Sequence, residues 1–254
     1  MSSYRSFGDT LADLAVDFST AHPPETVTRL LMMCRTGQHQ QLDEAFYWSL
    51  SVGDRIAGLM EIWLAGGGST LDIEMTCSAK ACKEKIASAL SVEALLEAHQ
   101  ETRQQNVIHF AVADRQFDFR KPKGSDQYNW LVASENGQPA SFLTMVSDLL
   151  VEQDDWDAEM LDDQKVQLEN AFQTADPLVD VAFDIECPAC NSVLPCTVDL
   201  QHLLLQQFAS IQRRMLRMVH VIASRYHWSE AEIFALPVWR RSHYLRLIQM
   251  EGAG

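Results

Sequence analysis

Residues 181–250, VAFDIECPACNSVLPCTVDLQHLLLQQFASIQRRMLRMVHVIASRYHWSEAEIFALPVWRRSHYLRLIQM, decide how the chain folds. The stretch reads as a strand, a Cys187-Pro188-Ala189-Cys190 turn, a returning strand, a long amphipathic helix and two short capped helices. Pro188 presets φ, Asn191 tolerates the left-handed conformation, and the two sulfurs converge from a tight turn, as in a zinc knuckle. Leu204, Phe208, Ile211, Met215, Met218 and Ile222 step by threes and fours, an apolar seam of about three heptads. Ser229-Glu230-Ala231-Glu232 is a capping box, and Trp228 with Phe234 is placed as a hydrophobic staple. Pro237 opens the last helix, for which Trp239, Tyr244, Leu245 and Ile248 are expected inward and Arg240, Arg241 and Arg246 outward. His220, His227 and His243 share no metal-ligand spacing.

Upstream, residues 1–68 read as helical. The pair Pro23-Pro24 opens one helix, carried by Val27, Leu30, Leu31 and Cys34 and closed by Gly37. A second segment surrounds Leu42, Phe46 and Leu50. A third is capped by Asp54 and stopped by Gly66-Gly67-Gly68. The period then changes. Leu71, Ile73 and Met75 alternate with Asp72, Glu74 and Thr76, a half-buried strand, and a turn from Cys77 to Cys82 leads into a returning strand over residues 83–90. A short helix starts at Ser91. Residues 107–113 and 116–120 form a hairpin, Ser125 caps a helix, another begins near Ala140, and residues 166–172 are helical. Residues 152–163 hold seven acids and read as a solvated face or loop.

The strand–cysteine turn–strand–helix order occurs twice, first from Leu71 and again from Phe183, and the two copies can pair as pseudo-symmetric halves. Two knuckles can supply four thiolates, Cys77, Cys82, Cys187 and Cys190, to one structural Zn²⁺, the alternative being two β-turns that carry thiols without a metal. Cys196, in the returning strand, is a spare candidate for which a place in the core or in support of the ligands is expected. The fold class expected is α+β: helical segments around two small zinc-ribbon-like cysteine-turn units, with a C-terminal helical hairpin-like region. The organisation expected is 1–68 helical, 69–175 the first cysteine unit with hairpin and helices, and 176–254 the second with the C-terminal helices.

Charge narrows the function. Of the net −15, residues 201–254 contribute +4, with seven Arg against three acids, so residues 1–200 carry −19. A mostly acidic chain is poorly suited to grip nucleic acid, because phosphate contacts need a positive field. Apolar runs are broken well short of the roughly 18–20 residues that a bilayer span requires. A soluble, cytoplasmic protein is expected, without membrane attachment. The six cysteines then read as thiols or metal ligands. No Gly-rich phosphate loop, His-Glu metal motif or paired nucleophile and base is visible, so an enzyme is not expected. The Met-containing seam and the basic C-terminal helices are the expected partner-binding region, with Arg213, Arg214, Arg217, Met218, Arg240, Arg241 and Tyr244 as its residues.

The run from Phe183-Asp184-Ile185-Glu186-Cys187-Pro188-Ala189-Cys190 continues through Arg213-Arg214-Met215-Leu216-Arg217-Met218-Val219-His220. Tyr226-His227-Trp228-Ser229-Glu230-Ala231-Glu232-Ile233 and Arg240-Arg241-Ser242-His243-Tyr244-Leu245 complete it. Together they resemble the T4-family baseplate hub assembly chaperones of contractile-tailed phages and related bacterial contractile injection systems. Val52-Gly53-Asp54-Arg55 resembles that family's N-terminal half more loosely. The resemblance implies a non-enzymatic factor that assists assembly of the central hub, with hub, spike or tape-measure proteins as partners. A baseplate subunit retained in the mature particle is the alternative, and a zinc-ribbon nucleic-acid binder a further one. The usual family knuckle is Cys-Pro-x-Cys-Gly; here Asn191 stands in the glycine position, and Cys77 and Cys82 are spaced more widely.

Overall fold

The structure, a computed structural model, describes residues 3–37, 42–112, 115–152 and 164–251. The acid-rich stretch at 152–163 therefore lies almost wholly outside the described residues, as does Ala113. Among the described residues there are ten α-helices and three separate two-stranded antiparallel sheets, an α+β arrangement.

A 3-10 turn at Leu11–Ala15 is followed by α1 (Pro23–Cys34), α2 (Glu44–Ser49) and α3 (Val52–Ala65). The doubled proline starts α1 because its missing N–H groups fall where a helix has no acceptor for them. α1 ends at Cys34, ahead of Gly37, when Arg35 leaves helical geometry and Tyr4 bridges to it. The cap of α3 is Ser51 rather than Asp54. The Ser51 hydroxyl accepts from the Asp54 N–H, and Asp54 occupies the third helical position. Gly66 caps the other end as expected.

β1 (Thr70–Thr76) and β2 (Lys85–Ser91) pair from Thr70↔Ser91 to Thr76↔Lys85, and α4 (Val92–Thr102) follows at once with Ser91 as its cap. β2 begins two residues later than its alternation suggested, because Lys83 is left-handed (φ 57°) and cannot extend a strand. β3 (Val107–Val112) and β4 (Arg115–Arg120) form the expected hairpin. α5 (Gly124–Glu135) starts two residues earlier than a cap at Ser125 predicts. Its cap is Lys123, whose N–H donates to the Asp126 carboxylate. α6 (Phe142–Ser147) and α7 (Lys165–Ala175) pack beneath the hairpin around Phe119, Val146 and Leu168. β5 (Val181–Glu186) and β6 (Val193–Val198) then repeat the first cysteine unit. They lead into α8 (Leu200–Tyr226), capped by Asp199, and on to α9 (Glu230–Ala235) and α10 (Val238–Glu251).

The largest apolar core draws on all three stretches of the chain. It joins Leu30, Leu31, Leu59 and Met60 to Leu71 and Val92 and to Leu200, Leu204 and Phe208. Leu71 and Val92 sit at the base of the first cysteine hairpin, and Leu200 follows the base of the second. Each hairpin is therefore rooted in one common core, with its cysteine turn at the far end.

The Val52-Gly53-Asp54-Arg55 sequence at the start of α3 ties this core together. The Gly53 N–H donates to the buried Asp176 (3.2 Å), and a Cβ at residue 53 would overlap that carboxylate. Asp54 takes His99 of α4 (3.3 Å) and Arg103 (3.0 Å). Arg55 is fully buried and donates to the carbonyls of Tyr47 (2.7 Å) and Pro24 (2.6 Å) and to the Thr28 hydroxyl (3.0 Å). Its guanidinium also lies 5.1 Å from the Trp48 ring centre. Burial pushes it down to about 10, still cationic at neutral pH.

The C-terminal helices form a smaller core of Val219, Ile222 and Ile233, flanked by Tyr226, Trp228, Tyr244 and Leu245. The capping box of Ser229 and Glu232 is present. The residue of α9 buried in the same cluster as Trp228 is Ile233, one position before Phe234, which packs at its margin.

Candidate metal centre

The two cysteine turns are built alike. Cys77 N–H donates to Glu84 O (2.8 Å) and Cys82 N–H to Ala79 O (3.0 Å). In the other turn Cys187 N–H donates to Ser192 O (2.9 Å) and Asn191 N–H to Cys187 O (2.8 Å). In both, the residue after the second cysteine is left-handed: Lys83 at φ 57° and Asn191 at φ 58°. This is the conformation that a glycine adopts without strain. Asn191 is further held by donating its side-chain amide to Glu186 (2.8 Å). The departure from glycine at residue 191 thus leaves the turn geometry intact.

The turns meet tip to tip. Cys77 Sγ lies 3.7 Å from Cys190 Sγ, and Cys82 Sγ lies 3.7 Å from Cys187 Sγ, so each close pair joins one hairpin to the other. All four sulfurs lie within 4.8 Å of one another. A disulfide would need about 2.05 Å, and all four are free thiols. A zinc ion with Zn–S bonds of about 2.3 Å has tetrahedral S···S edges of about 3.8 Å. The observed spacing is therefore that of a four-sulfur cage around one metal ion. Four protein ligands fill a tetrahedral shell and leave no open position, which is the structural type of site.

Electrostatics agree with a site that needs a cation. Ser192, through its hydroxyl and backbone N–H, holds the Cys190 thiol down at about 6. Cys82 is pushed the other way, to about 12: a backbone bond at Glu84 favours its thiolate, but burial and the neighbouring sulfurs oppose a second negative charge. A bound dication removes that conflict by stabilising all four thiolates together. The apolar support is slight. Ile86 and Leu194 are buried beside Cys77 and Cys187, with Met75, Ala79 and Ile185 partly covering them. Cys196 lies outside the cage, half-buried in β6 opposite Phe183.

The residues expected to bind a partner separate into three groups. Arg213, Arg214 and Arg217 are exposed on α8, and Arg240 is exposed on α10, where it donates to the Tyr244 hydroxyl (3.3 Å). Met218 and Tyr244 are half-buried in the C-terminal core, Tyr244 edge-on to both Tyr226 and Trp228. Arg241 corrects the expectation, being only 3% exposed. It lies over the Phe234 ring and donates to the Asp9 carbonyl. Position 241 shares the inner face of α10 with Tyr244, Leu245 and Ile248, so its guanidinium fastens the N-terminal loop. Trp239, expected inward, is 69% exposed.

Charge and periodicity alone miss three features: the Ser192 and Glu186 supports of the second turn, the left-handed Lys83, and the exposed Trp239. The local signals for the second turn are Pro188, the Cys187–Cys190 spacing and Asn191.

No family model, curated protein or solved structure matches this chain in the comparisons made with known proteins.

Proposed function

We propose that the protein is an assembly chaperone or adaptor for the baseplate hub of a contractile tail or injection system. It acts by stoichiometric protein–protein binding rather than by turnover. The two cysteine hairpins are a zinc-ribbon-like pair clipped by one Zn²⁺, held as thiolates by Cys77, Cys82, Cys187 and Cys190. Zinc supplies a cross-link between two chain segments more than a hundred residues apart. Four thiolates in tetrahedral array suit Zn²⁺, which supports this choice of metal.

The observation that supports the assembly reading is the continuity of the resembling run. Its four pieces form one connected unit, β5–β6–α8–α9–α10, rather than scattered fragments. In that unit Cys187 and Cys190 enter the sulfur cage, Met215 is buried, and Arg213, Arg214 and Arg217 are exposed. No helix among the described residues is long and apolar enough to cross a membrane.

The test is a tagged pull-down from cells assembling the particle, with mass spectrometry of the eluate and of purified mature particles. Recovery of hub, spike or tape-measure proteins, with absence from mature particles, is the expected result. Presence in both at fixed stoichiometry would instead make the protein a structural baseplate subunit. Absence of any tail protein, together with salt-sensitive binding to DNA or RNA, would favour a zinc-ribbon nucleic-acid binder.

A further inference from the structure

The outer face of α10 differs from that of an ordinary surface helix. Residues 239, 243, 246 and 250 step by four, three and four and so lie along one stripe. That stripe carries Trp239 (69% exposed), His243, Arg246 and Met250 (74% exposed), with Leu247 and Val238 also exposed beside it. The opposite face, with Arg241, Tyr244, Leu245 and Ile248, already packs on the C-terminal core and N-terminal loop. α10 therefore has apolar side chains on both faces, only one of which is covered among the described residues.

The charge of the C-terminal helices is equally one-sided. Three arginines elsewhere meet carboxylates, Arg5 pairing with Asp13, Arg103 with Asp54 and Arg120 with Asp126. Arg213, Arg214, Arg217, Arg240 and Arg246 form no ion pair with any described side chain; Arg214 and Arg240 bond only to the neutral Ser210 and Tyr244. In a chain of net charge −15, this leaves unneutralised cations concentrated at the C-terminal end.

We propose that the α10 stripe docks an acidic amphipathic helix of another polypeptide. This rests on the assembly reading above and specifies the chemistry of the partner. A stripe with a four–three–four rhythm, about 16 Å long from Trp239 to Met250, matches the apolar seam of a helix of about three turns. Trp and Arg are the side chains that most often carry interface energy, and Arg240 and Arg246 select carboxylates at the seam's margin. A symmetric stripe-on-stripe contact with a second copy would bring two arginine-bearing faces together with no carboxylate on either stripe. A bilayer or nucleic acid spreads its negative charge over an area far larger than the stripe and would also meet the −19 carried by residues 1–200.

The experiment uses the full-length, metal-loaded protein and a fluorescent 20-residue helical peptide with a leucine seam and glutamate flanks, read by anisotropy. Controls are the same peptide with lysine flanks and a sequence-scrambled glutamate peptide. The glutamate peptide is expected to bind at least about tenfold more tightly than either control. Trp239→Ala or Arg246→Glu is expected to weaken it by about tenfold. The paired variant Arg240→Glu/Arg246→Glu is expected to shift preference to the lysine peptide, a reversal that misfolding cannot produce. Equal binding of all three peptides, or binding unaffected by these variants, overturns the proposal. So does dimerisation or binding to phosphatidylserine vesicles that is lost in Trp239→Ala while peptide binding is absent. No tail protein enters this assay, so a failure here beside a successful pull-down rejects the docking stripe and leaves the assembly function standing.

Discussion

Lys83 and Asn191 hold the same left-handed backbone, but at different conformational cost. Asparagine visits this region more readily than lysine, and Asn191 is braced by Glu186, whereas a lysine at φ 57° is strained by about 1 kcal/mol. Lys83→Gly is therefore expected to stabilise the protein by about 0.5–1 kcal/mol in urea denaturation, and Asn191→Val to destabilise it by at least about 1 kcal/mol. Arg55 is the opposite kind of residue, a buried cation whose two terminal nitrogens bond to neutral oxygens while its Nε has no hydrogen-bond partner among the described residues. Arg55→Met would take a donor from two carbonyls and a hydroxyl, and a loss of about 3 kcal/mol or more is expected by the same measurement. Gly124→Ala should mimic part of that loss, because a Cβ there would collide with the Arg55 guanidinium. The buried carboxylates set the response to acid. Burial alone would raise Asp13, but Arg5 and the N–H groups of Gly8 and Thr10 hold it below the usual carboxylate range. Burial likewise opposes ionisation of Asp54, yet His99, Ser51 and Arg103 bring it low. A carboxylate depressed in the folded state contributes its stability fully above about pH 4 and loses it as pH falls through the lower folded value. Asp176 runs in the reverse sense: burial raises it, so its contribution is present at low pH and is lost as pH rises through that raised value. Denaturation between pH 3 and 7 should show a shallower acid limb in Asp13→Asn than in the parent protein.

At the scale of elements, the two cysteine hairpins share the strand–turn–strand–helix order and a left-handed residue after the second cysteine, yet they belong to separate sheets and meet at their sulfurs. Their shared apolar contact is small, centred on Ile86 and Leu194. The hairpin tips should therefore separate when the metal is removed, while the roots at Leu71 and Leu200 stay in the core. Chelation is expected to raise amide hydrogen exchange over residues 75–86 and 185–194 and to leave α3 and the first half of α8 protected. Much of this was legible in the residues. Alternation at Leu71, Ile73 and Met75 places β1, the spacing of Leu204, Phe208 and Met215 orients α8, and Cys187-Pro188-Ala189-Cys190 marks a metal turn. What escaped was tertiary. The spacing of position 241 with Tyr244, Leu245 and Ile248 separates it from Arg240 on the helix, but its charge argues for an outward place, and the crossing of α10 over the N-terminal loop is what buries the guanidinium. Asp54 resembles a helix cap in sequence, but its carboxylate is engaged by α4, and Ser51 takes the capping role. The pairing of Cys77 with Cys190 could be expected only from the internal repeat, since no spacing rule spans so long a separation.

Across the whole molecule, an acidic body and a cationic C-terminal end flank a core drawn from α1, α3, the roots of both cysteine hairpins and the start of α8. The four-sulfur clip lies at the far end of the hairpins from that core, and the exposed stripe of α10 lies on the C-terminal helices. The proposed assembly role would need a rigid frame that presents such a surface, and a metal held by the four sulfurs would supply rigidity where apolar packing is thin. The measurement that tests this most directly is elemental analysis with native mass spectrometry of the purified full-length protein, beside Cys82→Ser and Cys187→Ser. One zinc per chain is predicted for the parent protein, falling to a small fraction in either variant, with Co²⁺ substitution giving the absorption of a tetrahedral thiolate site. A metal-free parent protein that takes up neither Zn²⁺ nor Co²⁺ under reducing conditions, and whose hairpin protection is unchanged by chelator, would contradict the account.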